Sequence, residues 1–419
     1  MVNTEVDFWE KRRQAALAAY ETGKLPYIQR FHYQDWTLFD ETQPLASDSG
    51  LLDQALLKTD PQQIKIVQFG KSTILIQVPE KLLQAGLIVC DLKTALKEHP
   101  DLIEKYYMTQ VIKPDENKLL SYHAAFCEAG LVIYVPAKME LAEPIEVELV
   151  GDATRKQPWL HHLLLIAGAN SSLKFVQHLS TIGEQPQIAN LVAEVVAGPN
   201  SHIEFSSLDE VGKNTTLYFN RRANLDADSH LEWNCAFMND ADSIGDVCSE
   251  LVGQGSYGYS KAIAVTAGDE QMAVNNLVIN RGRHTTGLIN QRGVLLDNSK
   301  LIFNGIGQIV HGASGSKADQ KNRVLMMSDN AHGDANPLLL IDENDVVAAH
   351  AASVGPVDPV QMNYLMSRGI PYPKAERMVI HGFLDAVLSG MPKGMVRDRM
   401  LTILERKLIH GQRQRFSEV

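Results

Sequence analysis

The sequence has little cysteine and no long apolar run. Its four cysteines, Cys90, Cys127, Cys235 and Cys248, never form a Cys-x-x-Cys pair, so neither a disulfide framework nor a self-contained zinc site is predicted. A metal site would therefore need ligands other than these cysteines alone. No apolar run approaches the roughly 18 residues that span a bilayer. Because Met1 to Glu10 also lacks the features of a signal peptide, we expect a cytoplasmic protein with no membrane partner.

Basic runs are missing as well. The chain has 39 lysines and arginines against 50 aspartates and glutamates, a formal net charge of −11, and this excess of negative charge repels phosphate backbones. We therefore expect no nucleic-acid partner. Apolar residues make up 45% and charged residues 21% of the 419 positions, which excludes a mostly disordered chain. The length predicts two or three domains, or one long solenoid.

The signatures of common enzyme classes are also absent. Gly312 to Lys317 lacks the spacing of a phosphate-binding loop, and Asn304 to Gly307 lacks the third glycine of a dinucleotide site. Neither a Gly-x-Ser-x-Gly nucleophile turn nor a His-Glu-x-x-His helix occurs. The sequence therefore gives no sign of the usual hydrolase signatures.

What the sequence does contain is a repeat. A template of Asn or Asp, Ser or Thr, any residue, Leu or Ile, any residue and an aromatic begins at Asn170, Asn200, Asn214, Asp228 and Asn298. The starts at 200, 214 and 228 are 14 residues apart, and 298 lies five such steps further on. The polar pair favours a turn, and the alternating apolar residues predict a strand with one buried face.

This repeat predicts a mainly β protein with a β-solenoid core, although a meander of hairpins would give a similar spacing. The exposed ends of such a stack attract other strands, so flanking domains or a partner subunit are expected there. We assign residues 121–345 to the core, residues 1–120 to an N-terminal mixed α/β domain and residues 346–419 to a C-terminal helical domain.

The N-terminal domain is predicted from helix and strand signals. Asp7 is placed to cap a first helix that runs to about Tyr20. A short strand is expected at 74–78, and helical segments between 91 and 108 are interrupted by Pro100.

The C-terminal domain is predicted from capping residues and apolar spacing. Asp358, just before a proline, starts a helix that ends at Gly369. Apolar residues at every fourth position then predict helices over 374–388 and 396–409.

His350 is the histidine with the least ordinary surroundings. It has only small residues on either side, which leaves space for a ligand or a partner, although a lone histidine in an apolar context is commonly structural. We place it between the last β-rich run and the helical domain. The acidic group Asp342, Glu343 and Asp345 just before it is interpreted as a solvated turn that could attract a cation.

Other candidates have simpler explanations. Strand alternation directs His202 and His230 outward and sends the pair His161-His162 to opposite faces, which prevents joint chelation. Cys235 and Cys248 are 13 residues apart, so they are interpreted as small buried residues that could lie on neighbouring strands.

The stretch from Asn322 to Leu388 resembles the SufB/SufD family of iron–sulfur cluster assembly scaffolds. The resemblance rests on ordered blocks: Asn322-Arg323-Val324-Leu325, Ser328-Asp329, Asn336-Pro337, Asp345-Val346, His350 with Gly355, Tyr364-Leu365, Ser367-Arg368-Gly369-Ile370, and Ala375 leading to Gly382-Phe383. A weaker match, Leu25-Pro26 followed by Asp35-Trp36-Thr37, lies near the N-terminus.

The resemblance implies a right-handed parallel β-helix between an N-terminal α/β domain and a C-terminal helical domain, in agreement with the repeat. It implies a heterodimer with a SufB-like subunit through the β-helices, and a SufC-type ABC ATPase docked on the C-terminal helices. The chain itself would be a non-enzymatic scaffold in an assembly that uses persulfide sulfur, iron and reducing equivalents. We expect no tightly bound cofactor on this chain alone; a transient iron–sulfur cluster at the interface and a reduced flavin in the complex stay open.

The resemblance is to the SufD-like branch. Ala331 and Ala351 stand where the SufB branch carries a cysteine and a glutamate. The SufD branch often has a cysteine before the histidine and a glycine after it, where this chain has Ala348 and Ala351, so coordination of iron by this chain alone is not expected. The resemblance implies His350 as a metal ligand or proton carrier shared with the partner. The implied partner interface comprises Asp345, His350, Tyr364, Arg368, Gly369 and Phe383.

Two other functions stay open at this point. One is a β-solenoid carbohydrate-active enzyme such as a lyase, and the other is a homodimeric paralogue without cluster chemistry. An aromatic content of 7% counts against the lyase, because sugar clefts usually present stacking rings.

Overall fold

Asparagine and aspartate residues shape the turns between the strands. A computed structural model of the chain describes residues 4–388 and 394–417. The first residues of three repeats, Asn170, Asn200 and Asp228, take left-handed φ angles of 59°, 54° and 55°, which Asn and Asp tolerate better than most residues. The serine that follows then bonds back within the turn, and Ser171 Oγ donates to a backbone carbonyl at 2.7 Å. Each of these repeats therefore begins as a turn and continues as a strand.

The strands alternate between two sheets along the chain. The first four are β1 (Ile64–Phe69), β2 (Ser72–Gln77), β3 (Ile88–Asp91) and β4 (Gly130–Val135). They are followed by β5 (Ile145–Asp152), β6 (Trp159–Ala167), β7 (Ser172–Ile182), β8 (Gln187–Ala197), β9 (His202–Glu210), β10 (Thr215–Leu225), β11 (His230–Phe237), β12 (Asp242–Leu251), β13 (Tyr257–Thr266), β14 (Gln271–Asn280), β15 (Thr286–Leu295), β16 (Lys300–Ile309), β17 (Lys317–Met326), β18 (His332–Ile341) and β19 (Val347–Gly355). The first sheet has the order β19-β17-β15-β13-β11-β9-β7-β5-β1-β2, and the second has the order β18-β16-β14-β12-β10-β8-β6-β4-β3.

The pairing coils the chain into a β-solenoid of about 8 turns. Strands two positions apart pair in parallel, as when His202 pairs with Ser172 on one side and His230 on the other. The predicted solenoid is confirmed and the hairpin meander is wrong, because hairpins pair antiparallel. The 14-residue step is half a turn, so the templates at Asn200 and Asn214 lie on opposite sheets.

Inward apolar side chains form one core cluster along the solenoid, from β1 to β17. The rings of Phe175, Phe205 and Trp233 follow one another along the first sheet, with centroids 4.6 Å apart at each step. Phe219 stacks on Phe237 at 4.9 Å. All five side chains are fully buried, and burial of each stabilises the fold by roughly 2 kcal/mol.

The N-terminal region closes one end of the solenoid. The helices of this region are α1 (Thr4–Thr22), α2 (Glu80–Gln84), α3 (Leu92–Glu98), α4 (Pro100–Tyr106) and α5 (Lys118–Phe126). β2 and β3 pair antiparallel with β1 and β4, and Ile76, Val78 and Leu82 pack against the inner core. Other N-terminal residues cover the outer face of the second sheet, against side chains such as Leu164 and Tyr218.

The helix ends follow ordinary capping chemistry, with one correction. The predicted cap at Asp7 is wrong, because α1 already begins at Thr4 and Asp7 lies inside it. The side chains of Asp91 and Asn117 instead accept backbone N–H groups at the starts of α3 and α5. Pro100 opens α4 directly after α3, which confirms the predicted interruption.

The C-terminal helices lie along the side of the solenoid. They are α6 (Pro359–Ser367), α7 (Tyr372–Leu388) and α8 (Met395–Ser417). Ile380 of α7 and Leu404 of α8 are buried with outward side chains of the first sheet, including Ile263 and Val294. The predicted end of α8 near residue 409 is wrong: α8 continues through Gly411, where a Cβ would lie 3.1 Å from a side-chain carbon of Leu296. Glycine there permits close packing.

The sheets extend across both predicted domain boundaries. β1 pairs with β5 although it lies within residues 1–120, and β19 pairs with β17 although it lies after residue 345. The division at residues 120 and 345 stays a prediction. Among residues 4–388 and 394–417, no helix has the length and apolar character needed to cross a membrane.

Candidate functional site

The candidate site is the open end of the solenoid, which we define as its last two strands, β18 and β19. Each is the terminal strand of its sheet, and within the described residues no further strand pairs with either. Eight of the nine residues of β19 are exposed. A terminal strand presents unpaired backbone N–H and C=O groups that can pair with another chain. The backbone groups of the open end can therefore form hydrogen bonds with another strand.

His350 lies in the middle of β19 and not after the last strand, so its predicted position is wrong. The alanine-rich segment pairs with β17, which places His350 beside Gln320 and Val354 beside Val324. Gln320 and Val324 are buried in the solenoid interior, and alternation along the strand puts His350 on the same face. The exposed imidazole thus stands at the mouth of the interior.

The acidic turn before β19 is held by an adjacent loop. The carboxylate of Glu343 accepts the backbone N–H of Gly312 at 2.9 Å, and that of Asp345 accepts the hydroxyl of Ser314 at 2.9 Å. The bond from Gly312 lowers the pKa of Glu343. These carboxylates therefore fix the turn that leads into the last strand.

The other predicted interface residues lie on two different helices. Tyr364 and Arg368 are exposed at the end of α6, where the guanidinium lies 5.3 Å from the centre of the tyrosine ring, and Gly369 follows with a φ of +81°. Phe383 instead packs on the chain's own solenoid: its ring lies 5.2 Å from the guanidinium of Arg292, and its carbonyl accepts a hydrogen bond from that group. The six residues are thus distributed over four segments: the acidic turn, β19, the end of α6, and α7.

An asparagine ladder, which sequence reasoning missed, runs to the open end on the outer face of the second sheet. Asn275 donates to the carboxylate of Asp246 at 2.8 Å, Asn304 donates to Asn275 at 2.8 Å, and Asn336 donates to Asn304 at 3.0 Å. A carboxylate oxygen accepts hydrogen bonds, so Asn275 must turn its NH₂ group toward Asp246 and its oxygen toward Asn304. The same orientation then passes from Asn304 to Asn336. Asp246, Asn275 and Asn304 are each 29 residues apart in the sequence, and this spacing could have predicted the ladder.

The histidines predicted to be structural behave so. His161 and His162 point to opposite faces, since His161 contacts Gln68 and the ring of His162 lies 4.1 Å from that of Tyr107. Burial lowers the pKa of both to about 3, which keeps them neutral. The rings of His202 and His230 point outward and stack at 4.4 Å.

All four cysteines are buried. Cys235 and Cys248 do not lie on neighbouring strands as predicted, because β11 and β12 belong to different sheets. Burial raises the pKa of Cys235 to about 11 and that of Cys90, Cys127 and Cys248 to about 12, so these thiols stay protonated at neutral pH. Within the described part of the chain, no three His, Cys, Asp or Glu side chains converge as a metal site.

Comparison with known proteins agrees with this architecture. The family model for the SUF system FeS cluster assembly SufBD core domain matches residues 150–383, and the model for the SufBD protein N-terminal region matches residues 71–147. The iron–sulfur cluster assembly protein SufD of Bacillus subtilis (strain 168) is 37% identical over 412 residues, which cover 96% of this chain and 94% of the relative.

More distant relatives cover less of the chain. An iron–sulfur cluster assembly SufBD family protein of Synechocystis is 26% identical over 326 residues, covering 75% of this chain and 67% of the relative. One from Staphylococcus saprophyticus is 21% identical over 326 residues, covering 78% and 70%.

These matches define the class of the protein. The chain belongs to the SufBD family of iron–sulfur cluster assembly proteins. Within that family it stands on the SufD-like branch, with SufD of Bacillus subtilis as a similar full-length relative. The resemblance seen in the sequence is confirmed, and the family is one of assembly scaffolds.

Proposed function

We propose that this chain is the SufD-like scaffold subunit of a cytoplasmic iron–sulfur cluster assembly complex. A SufB-like subunit would pair with the open end, and a SufC-type ATPase would dock on α6 to α8 and supply the ATP hydrolysis. The observation that carries the proposal is the exposed last strand β19, whose outer edge pairs with no other strand among the described residues.

The composition of the terminal strand supports this pairing. Natural proteins usually protect a terminal strand with lysine, proline, a bulge or a covering element. β19 has the sequence VAAHAASVG, with no lysine, no proline and no carboxylate, and its side chains are exposed. An exposed strand without these protective features is suited to backbone pairing with a partner strand.

The surface of the C-terminal helices supports a second contact. Several large apolar side chains are exposed on α6 and α7, which is unusual unless a partner covers them. They are Val360, Tyr364, Met366, Tyr372 and Met378.

His350 is the residue we assign to the cluster, which is cargo of the complex. Imidazole ligates iron in several cluster and haem proteins, and this ring stands exposed at the surface where the partner would bind. Because the chain's own thiols are buried, the thiolate ligands would come from the partner. His350 would act as one shared ligand or as a proton carrier.

Anaerobic co-purification with SufB-like and SufC-type proteins tests the assembly. We expect a complex of all three, with bound iron and sulfide after loading, as measured by native mass and metal analysis. A chain that stays a monomer in the presence of both partners would overturn the proposal. A homodimer that excludes the SufB-like partner would instead support the paralogue without cluster chemistry.

A variant separates the role of His350 from that of the surface around it. His350→Ala should bind both partners with wild-type affinity and lose most of the cluster yield. His311→Ala, which removes another exposed histidine, is the matched control and should keep the yield. Normal cluster formation by His350→Ala would exclude this assignment while leaving the assembly itself untouched.

A further inference from the structure

The interior of the solenoid carries a group of buried amides toward the open end. Near the middle, inward positions are filled by stacked rings and by one ion pair between Arg221 and Asp209. In the last turns, four inward positions carry amides instead: Asn276 in β14, Gln291 in β15, and Gln320 and Asn322 in β17. All four are at most 1% exposed. Their neighbours at alternate positions, such as Val274 and Ile289, belong to the inner apolar core, which confirms that the amides point inward.

Most of the polar atoms of these amides lack a partner. Both side-chain polar atoms of Asn276, Gln291 and Asn322, and Oε1 of Gln320, make no hydrogen bond with any described residue. Only Nε2 of Gln320 is paired, to a backbone carbonyl at 2.7 Å. A buried amide atom without a partner costs about 1–3 kcal/mol, and such atoms are rare in native proteins. Seven in one region therefore indicate a ligand with matching chemistry.

The amides form one row that leads to the mouth. Gln320 pairs with His350 of β19, and Asn322 pairs with Gln291 of β15. On the opposite wall Asn276 pairs with Gly305. A Cβ on Gly305 would lie 2.4 Å from Nδ2 of Asn322 and 2.6 Å from Oε1 of Gln320, so this glycine admits the amides. The row runs inward from the exposed imidazole over the last turns of the solenoid.

We propose that this row is a binding site for water, occupied by a file of hydrogen-bonded molecules that enters beside His350. Each amide offers both donors and an acceptor, which suits water, and buried water usually makes about three hydrogen bonds to otherwise unpaired groups. The row contains no charged side chain. The ion pair of Arg221 and Asp209 lies on the earlier strands β10 and β9, where Arg221 donates to both oxygens of Asp209, so an ion is disfavoured as the ligand.

The site differs from the outer asparagine ladder in a way that defines its ligand. On the outer face, Asn275 and Asn304 satisfy one another directly. Inside, the amides stand in the same kind of stacked strands but make no such bonds. Water supplies the missing partners, and the inference does not depend on which protein binds the open end.

A crystal structure of the full chain at a resolution that shows ordered water is the direct test. We expect water within about 2.7–3.2 Å of the amides of Asn276, Gln291 and Asn322, continuous with solvent at His350. A dry interior in which these amides bond to one another would overturn the proposal, and so would a bound ion or organic molecule.

A pair of variants gives an independent measurement. If water is bound, Asn276→Leu removes the hydrogen bonds between the amide and water and should lower the thermal midpoint. Asn190→Leu is the control and should also lower it, because this buried amide bonds to the carbonyl of Leu119 and the ring of His123. If Asn276 is instead dry and unpaired, its replacement by leucine should raise the midpoint. A rise for Asn276→Leu with a fall for Asn190→Leu would contradict the water site.

Discussion

The two ends of the solenoid meet the same physical problem with different solutions. At the N-terminal end, β2 and β3 are also the last strands of their sheets, but they run antiparallel to their neighbours, and Ile76, Val78 and Leu82 cover the apolar interior. At the C-terminal end, β18 and β19 each pair on one side only within the described residues, and β19 is almost wholly exposed. The helices that follow them in sequence pack along the side of the solenoid and leave this end free.

This difference indicates which end of the solenoid is suited to a partner. A solenoid can grow by adding a strand at either end, so an unprotected end favours uncontrolled association. The N-terminal end is closed by its own chain. The C-terminal end combines an exposed terminal strand, an inward histidine and buried interior amides. These features are suited to a specific partner, and without one the exposed strand would favour non-specific association.

The largest effect is expected from placing the same charge at the two ends. Ala95 is fully buried in α3 beside the closed end, whereas Ala349 is exposed in β19. Ala95→Asp should destabilise the fold by about 4 kcal/mol or more, because the carboxylate is buried without a partner. Ala349→Asp should change the stability of the chain by less than about 0.5 kcal/mol. Denaturant unfolding measures both.

The affinity of Ala349→Asp for a partner tests whether the open end is the binding surface. Ala349→Asp should weaken association with a SufB-like partner at least tenfold, because a charge on a terminal strand opposes pairing. Wild-type affinity for this variant would mean that the partner binds elsewhere. Global unfolding by Ala349→Asp would mean that the last strand is covered.

A smaller, pH-dependent effect should report how α8 is held to the side of the solenoid. His178 lies 2.8 Å from Glu148 and 3.3 Å from Glu210, and Arg399 of α8 donates to Glu210 at 2.7 Å. Burial alone would lower the pKa of His178, but its hydrogen bonds with the two carboxylates raise it to about 9. The folded pKa thus exceeds the unfolded value of about 6.5.

The sign of the pH effect follows from this shift. The protonated imidazole contributes its full stability below about pH 6.5, and the contribution is lost as the pH rises through about 9. Between these values the wild type should lose about 2 kcal/mol more than His178→Gln, as measured by urea unfolding at several pH values. His311→Gln should retain the wild-type pH dependence, and an unchanged dependence in His178→Gln would contradict the assignment.

Much of the fold could be predicted because it is written in local patterns. The Asx–hydroxyl turn and the alternating apolar residues are local, and they repeat, so the solenoid followed from the sequence. The sequence did not show that the 14-residue step is half a turn, because this depends on which strands pair. The end of the last helix near residue 409 was predicted wrongly, because the close approach of Gly411 to Leu296 involves residues distant in sequence.

The site was predicted less completely for the same reason. Small neighbours marked His350, but its inward direction follows only from the pairing of β19 with β17. Phe383 was expected at a partner interface, and the structure shows it against Arg292 of its own solenoid. The interior amides and the asparagine ladder combine residues about 30 positions apart, which become neighbours only after coiling.

The smallest difference, about 1 kcal/mol, is expected between two positions of the asparagine ladder that runs to the open end. Asn275 makes two ladder bonds, to Asp246 and from Asn304, whereas Asn336 makes one described bond because no further turn follows it. Asn275→Ala should therefore cost about 2 kcal/mol and Asn336→Ala about 1 kcal/mol in the free chain. If a partner strand extends the second sheet, the cost of Asn336→Ala should rise toward that of Asn275→Ala in the complex. Equal costs in the free chain would mean that the last amide is already satisfied and that the second sheet is complete without a partner.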